Sequence, residues 1–179
     1  MPENLKAHAS GFSIRFAEEK DAATLVALIK ELAQYEKLLP EVEVSEQLVR
    51  ESIFVRKAAE ALIGENNGEA VGYAIFYQNF SSFTARPGIF VEDIYVKPSL
   101  RCMGFGKLFF TFMAKLAVER GCARMEWTCL DWNTPSIAFY KKMGAQAMTE
   151  WTLYRLAGTS LMEIASPRTT KDFPVRRDG

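Results

Sequence analysis

Val96–Lys107, read VKPSLRCMGFGK, hands a β-like run over to a helix-like one, and its reading decides how the rest of the chain is organised. Arg101, Gly104, Gly106 and Lys107 place a guanidinium, two glycines and an ammonium at that junction. The first N–H groups of a helix lack intrahelical partners, and the helix dipole adds partial positive charge there, so an anion is the natural occupant. Glycines let the backbone approach closely, which suits RxxGxGK to a pyrophosphate. The pattern is not a P-loop, because Leu108 takes the place of the Ser or Thr that would meet magnesium, and it is not the Rossmann GxGxxG. Spacing alone also admits a second reading, two glycines that only shape a turn before a core helix.

Upstream, Ile89–Val96 (IFVEDIYV) is the best strand in the chain, its β-branched and aromatic residues interrupted only by Glu92 and Asp93. Strand alternation places those two carboxylates on opposite faces, so one of them is expected to face the reacting group. Ser13–Ala17 reads as a first strand. Leu25, Leu28, Ile29, Leu32 and Tyr35 recur at helical spacing and predict an amphipathic helix from Lys20 to Tyr35. Ser45 is placed to cap a shorter helix reaching about Phe54, packing through Leu48, Ile53 and Phe54. Ala61–Gly64 and Ala70–Tyr77 flank ENNGE, whose Asn-Gly pair predicts a tight hairpin.

Downstream, Phe105–Arg120 predicts a buried helix stopped by Gly121, and Arg124–Leu130 a strand. Asn133 or Thr134 with Pro135 starts a helix that stops at Gly144. A strand pair within Ala145–Ala157 and a short helix at Leu161–Ala165 complete the series. The order implies an α/β chain with a mixed sheet and helices on both faces.

A chain of 179 residues suits one domain, expected over 12–165 between a flexible leader, 1–11, and a charged, proline-broken tail, 166–179. Lys plus Arg equals Asp plus Glu at 22 each, so no bulk field gathers nucleic acid or an anionic membrane. No apolar run approaches the roughly 20 residues of a membrane span, and MPENLKAHAS lacks the layout of a secretory signal, so a cytoplasmic protein is expected. Cys102, Cys122 and Cys129 form no CxxC pair, which argues against a disulfide frame or a zinc site, and no metal is expected. His8 is the only histidine and lies in the leader, which disfavours Ser-His and Cys-His hydrolase chemistry.

The run of strand, RCMGFGK, long helix, strand and WNTPSIAFYKKMGA resembles the GNAT acyl-CoA-dependent N-acetyltransferases. The RxxGxG turn is similar to that family's pyrophosphate loop for coenzyme A, and Asn133–Ala145 to its later N-x-x-[AS]-x-x-[FL]-Y-x-x-x-G-[AF] motif. IKELAQYEK (Ile29–Lys37), VEDIYV (Val91–Val96) and LDWNTPSIAFYKKMGA (Leu130–Ala145) resemble the diamine acetyltransferase group, which includes the spermidine/spermine and thialysine enzymes. The likeness runs from about Ile14 to Leu156.

The resemblance implies the GNAT acyl-CoA N-acyltransferase fold, a central, largely antiparallel sheet, acetyl-CoA as donor, a small-molecule amine as acceptor, and a homodimer. For the cofactor it points to the backbone of Ile94, Tyr95 and Val96, to the turn residues Arg101, Cys102, Met103, Gly104, Phe105, Gly106 and Lys107, and to Asn133, Ser136 and Tyr140. Asn133 also reads as a plain helix cap. An alkyl ammonium of pKa near 10.4 costs about 4.6 kcal/mol to deprotonate at pH 7, so an acceptor for that proton is needed. By resemblance Glu92 is the base, directly or through a water, and Asp93 orients the amine; a purely structural role in the sheet stays open for one of them. Tyr140 matches the family's general acid, which protonates the departing thiolate, although the bare pattern also fits a core aromatic. The acceptor site is implied at Tyr35, Glu36, Ser82, Trp127 and Thr128, together with Glu92 and Asp93. Tyr35 and Glu36 also read as an ordinary helix end. Ser82 stands where the polyamine enzymes carry an acidic residue, and Thr84 where they carry an aromatic, which favours a shorter amine over a long polycation. The competing reading is a catalytically idle acyl-CoA-binding module.

Overall fold

The computed structural model describes residues 8, 9 and 11–166, so most of the expected leader and tail lies outside the described residues. The chain divides between Leu130 and Asp131 into two compact units.

The first unit is built on a sheet whose six strands lie in chain order: β1 (His8–Ala9), β2 (Phe12–Phe16), β3 (Glu60–Asn66), β4 (Glu69–Ser81), β5 (Arg86–Val96) and β6 (Met125–Trp127). All neighbours pair antiparallel except β5 and β6, which are parallel, so the mixed and largely antiparallel sheet expected from the order of elements is present. The β3–β4 hairpin turns on Asn67 and Gly68, both at positive φ, as the Asn-Gly pair requires.

Helix α1 (Ala22–Glu36) covers one face of the sheet. Its Leu25 and Leu28 are buried against Ile63, Tyr73, Ile75 and Tyr95, with Ile29 and Leu32 alongside. Burying each such leucine contributes about 1.5–3 kcal/mol. Helix α3 (Phe105–Glu119) covers the other face, where Phe105 stacks on Phe12 at 3.9 Å between centroids and Phe112 meets Phe16 edge-on at 5.7 Å. Ser45 caps α2 (Glu46–Val49), its Oγ accepting from the Leu48 N–H at 3.3 Å. The helix then widens into a π-helical turn, Arg50–Val55. Val49 and Ile53, four residues apart, point inward, whereas Leu48, expected to pack, is 53% exposed. Among the described residues no helix is long and apolar enough to cross a membrane.

Arg15 on β2 ties the entrance of α1 to the sheet. It donates to both carboxylate oxygens of Asp21, at 2.7 and 2.9 Å, and to Glu65 at 2.8 Å. Asp21 also accepts the Glu18 N–H at 2.7 Å and is only 6% exposed. The Arg15 hydrogen bond holds the Asp21 carboxyl below the usual carboxylate range, with burial opposing it. The stability from this lowered pKa is fully present above the unfolded value and is lost as pH falls below about 4. Asp21→Ala is expected to lower stability by about 2–4 kcal/mol in urea unfolding at pH 7, since it strands a partly buried guanidinium that still has Glu65, and to flatten the acid limb of the stability profile.

The second unit holds α4 (Thr134–Lys142) and α5 (Gly158–Ala165). The strand pair expected within Ala145–Ala157 is not formed, and the Arg124–Leu130 strand shrinks to Met125–Trp127. A strand exists only where a neighbouring edge satisfies its backbone, and local composition does not encode that neighbour.

Candidate active site

Strand β5 carries Glu92, Asp93 and the backbone of Ile94–Val96, the centre of the candidate site. Along β4 it keeps register to its end, except that Asp93 stands opposite Ile75 while Val91 stands opposite Phe76. Glu92 is therefore the extra residue of a β-bulge. A bulge resets alternation, so the expectation that Glu92 and Asp93 face opposite sides fails. Val91, Ile94 and Val96 share the α3 side with Phe76, Ala74 and Gly72 across the ladder; Phe90 stacks on Tyr77 at 5.2 Å on the α1 side, and Asp93 meets Tyr73 there. Alternation through Phe90 and Val91 carries Glu92 to the α1 side, and the bulge puts Asp93, opposite Ile75, on that side as well.

The α1 side thus gathers three carboxylates. Asp93 is half-buried and accepts from the Tyr73 hydroxyl at 3.0 Å. Burial pushes its carboxyl up, the Tyr73 bond opposes that, and the charge of Glu92 adds to it. Glu36, the last residue of α1, is also pushed up, first by burial and then by Asp93. In both, loss of water is the larger cause and the neighbouring carboxylate the smaller. Glu92 is exposed.

Beyond the bulge, β5 has a free side. Strand β6 pairs with it only over Ile89–Val91, so from Glu92 to Val96 no described strand lies along that edge. The edge leads through Pro98–Leu100, a single 3₁₀ turn, to the N-terminus of α3. There Gly104 is the N-cap at φ 88°, and no described side chain caps the helix. Cys102 also lies in the left-handed region, at φ 63°. Two left-handed residues thus stand beside first-turn N–H groups that no described side chain caps. Lys107 is exposed on the first turn of α3. Arg101 turns back instead: its Nε donates to the Val96 carbonyl at 3.1 Å, and its guanidinium carbon lies 4.3 Å from the Tyr35 ring centroid.

Sequence reasoning missed Tyr73, whose hydroxyl anchors Asp93, and the Tyr95 hydroxyl, which donates to Glu31 of α1 at 3.1 Å. Their alternate positions on strands were the available signal. Burial and the Glu31 bond push the Tyr95 phenol up to about 12. Ser82 lies in the exposed four-residue tip of the β4–β5 hairpin, and Thr128 is exposed just past β6. Trp127 meets Phe110 edge-on at 4.9 Å on the α3 side, so its ring is not brought together with Glu36 and Asp93. In the second unit Asn133 is the helix cap that its sequence also allowed, its Oδ1 accepting from the Ser136 N–H at 3.4 Å. Tyr140 lies in α4, its ring 5.6 Å from that of Phe139.

The model of the Acetyltransferase (GNAT) family matches residues 25–145. The chain belongs to the GNAT acetyltransferase family. The matched span includes every candidate residue from Tyr35 to Tyr140. A thialysine N-epsilon-acetyltransferase of Bos taurus is 38% identical over 164 residues, covering 85% of this chain and 96% of that protein. An L-ornithine N5-acetyltransferase of Arabidopsis thaliana is 44% identical over 99 residues, which are 55% of this chain and 43% of that protein. An integron cassette protein from the mobile metagenome of V. cholerae superposes with a TM-score of 0.75 at 22% identity, over 89% of this chain and 100% of that one, a likeness of fold. As a GNAT acetyltransferase the protein is an enzyme that acylates an amine.

Proposed function

We propose that this GNAT enzyme transfers the acetyl group of acetyl-CoA to the primary amine of a small aliphatic diamino compound, such as thialysine, a lysine-like amino acid or a short diamine. The observation that carries the reading is the open edge of β5 from Glu92 to Val96, running into the uncapped start of α3. The bound donor supplies an activated acetyl group as a thioester. The N–H groups at the start of α3, with Lys107 and the outer nitrogens of Arg101, hold the diphosphate. The backbone of Ile94, Tyr95 and Val96 offers the pantetheine amides strand-like hydrogen bonds.

On the α1 side Glu36 and Asp93 attract and orient the acceptor ammonium, with Asp93 held by Tyr73. Glu92 takes the ammonium proton, directly or through a water. The freed nitrogen forms the new bond to the acetyl carbon, the carbon–sulfur bond breaks, Tyr140 gives its phenolic proton to the departing sulfur, and the second proton of the nitrogen passes to the resulting phenolate or to water, leaving the neutral amide. The names of the thialysine and ornithine relatives support an acceptor of this size, as do Ser82 and Thr84 in place of an acid and an aromatic.

Incubation with acetyl-CoA and a panel of amines, following free thiol, tests the proposal. Thiol release that requires thialysine, a lysine-like diamino acid or a short diamine supports it; tight donor binding with no release for any amine would exclude it. The turn has its own test. A Cβ at Gly104 meets no atom within 4 Å, so a substitution there costs backbone strain rather than a clash. Gly104→Val is expected to lose about 1–3 kcal/mol of stability and to raise the KM for acetyl-CoA about tenfold, measured by urea titration and initial rates. An unchanged KM would remove the turn from the site.

A further inference from the structure

We infer that Arg101 is a positioning residue for the acceptor side of the site, holding Tyr35 and the end of α1 against the strand that carries the cofactor edge. This rests on the function proposed above, and it adds to Arg101 a task that its motif does not announce. The guanidinium carbon lies 4.3 Å from the Tyr35 ring centroid and 5.8 Å from that of Tyr95, while Nε donates to the Val96 carbonyl at 3.1 Å. A planar guanidinium can stack by its face and donate from its edge at the same time, leaving the two terminal nitrogens for an anion. Arg101 is half-buried, and loss of water strengthens a cation over a ring.

A second tie lies one helical turn away. Glu31 and Tyr35 are four residues apart on α1, so they share a face, and Glu31 accepts from the Tyr95 hydroxyl at 3.1 Å. Tyr95 and Arg101 thus grip the last turns of α1 from β5 and from the cofactor turn. Glu36, the carboxylate that senses Asp93, is the residue next to Tyr35. Loosening Tyr35 therefore misplaces the carboxylate expected to meet the acceptor ammonium.

The test uses the full chain with Arg101→Met, which keeps the stem and removes the cation, with Tyr35→Leu, and with both, each checked for folding by circular dichroism. At saturating acetyl-CoA each single variant is expected to raise the KM for the amine by about 5- to 20-fold, with a smaller effect on kcat, and the double variant to be no worse than the worse single. An amine KM unchanged in Arg101→Met, or effects that multiply in the double variant, would overturn the inference. A readout free of turnover accompanies it: the Arg101 Nε–H resonance, assigned by its disappearance in Arg101→Met, should lie upfield under the Tyr35 ring current and move downfield in Tyr35→Leu. A resonance that does not move overturns the contact. If no amine is acetylated by the unaltered protein, the proposed function falls, and this resonance alone decides whether Arg101 holds Tyr35.

Discussion

Replacing Tyr140 by phenylalanine is expected to lower kcat by about 10²- to 10⁴-fold while the dissociation constant for acetyl-CoA changes by less than about twofold. The substitution removes one hydroxyl and keeps the ring, so the packing of α4, including the contact with Phe139 at 5.6 Å, is preserved. What is lost in the proposed mechanism is the proton for the departing sulfur. A thiolate can leave without it, but then negative charge builds up in the transition state with no donor to share it. Binding of the donor precedes that charge and does not need the phenol. Calorimetric titration with acetyl-CoA beside single-turnover rates separates the two quantities. A variant with undiminished turnover would take Tyr140 out of the chemistry and return it to the reading of a core aromatic.

The second large effect belongs to Glu92→Gln, for which kcat/KM at pH 7 should fall by about 10²- to 10³-fold with stability unchanged to within about 0.5 kcal/mol. The stability clause follows from the bulge, since Glu92 is exposed and is the residue with no partner across β4. The activity clause carries a pH signature. Without a base the enzyme depends on amine that is already neutral in solution, a fraction that rises tenfold per pH unit below a pKa near 10.4. The deficit of the variant should therefore shrink steadily between pH 7 and pH 9. A deficit constant over that range would mean that Glu92 acts by charge alone. Asp93→Asn should behave differently, raising the KM for the amine, because Asp93 is the carboxylate that Tyr73 holds in place.

Much of this architecture was readable one segment at a time. Ile89–Val96 announced a strand by its β-branched and aromatic content, Leu25, Leu28, Ile29 and Leu32 announced the inner face of α1, and Asn67-Gly68 announced its hairpin. Each of these depends on residues within a few positions of one another. What could not be read depends on partners far away in the chain. Whether Ala145–Ala157 pairs as strands is decided by an edge that the segment does not contain, and the exposure of Leu48 is decided by which face of its helix meets the core, not by its own apolar character. The motif named Arg101 as a phosphate charge, and only the folded chain put its guanidinium over Tyr35, across 66 positions of sequence.

By itself the sequence determined the family and the glycine turn, because each is carried by short runs of neighbouring residues whose spacing is retained in the chain. Tertiary structure alone decided that Glu92 and Asp93 share a face and that β5 leaves β6 to offer a free edge. The physical reason is register: a single extra residue against β4 reverses which way every later side chain points, and no property of Glu92 or Asp93 encodes where that residue falls.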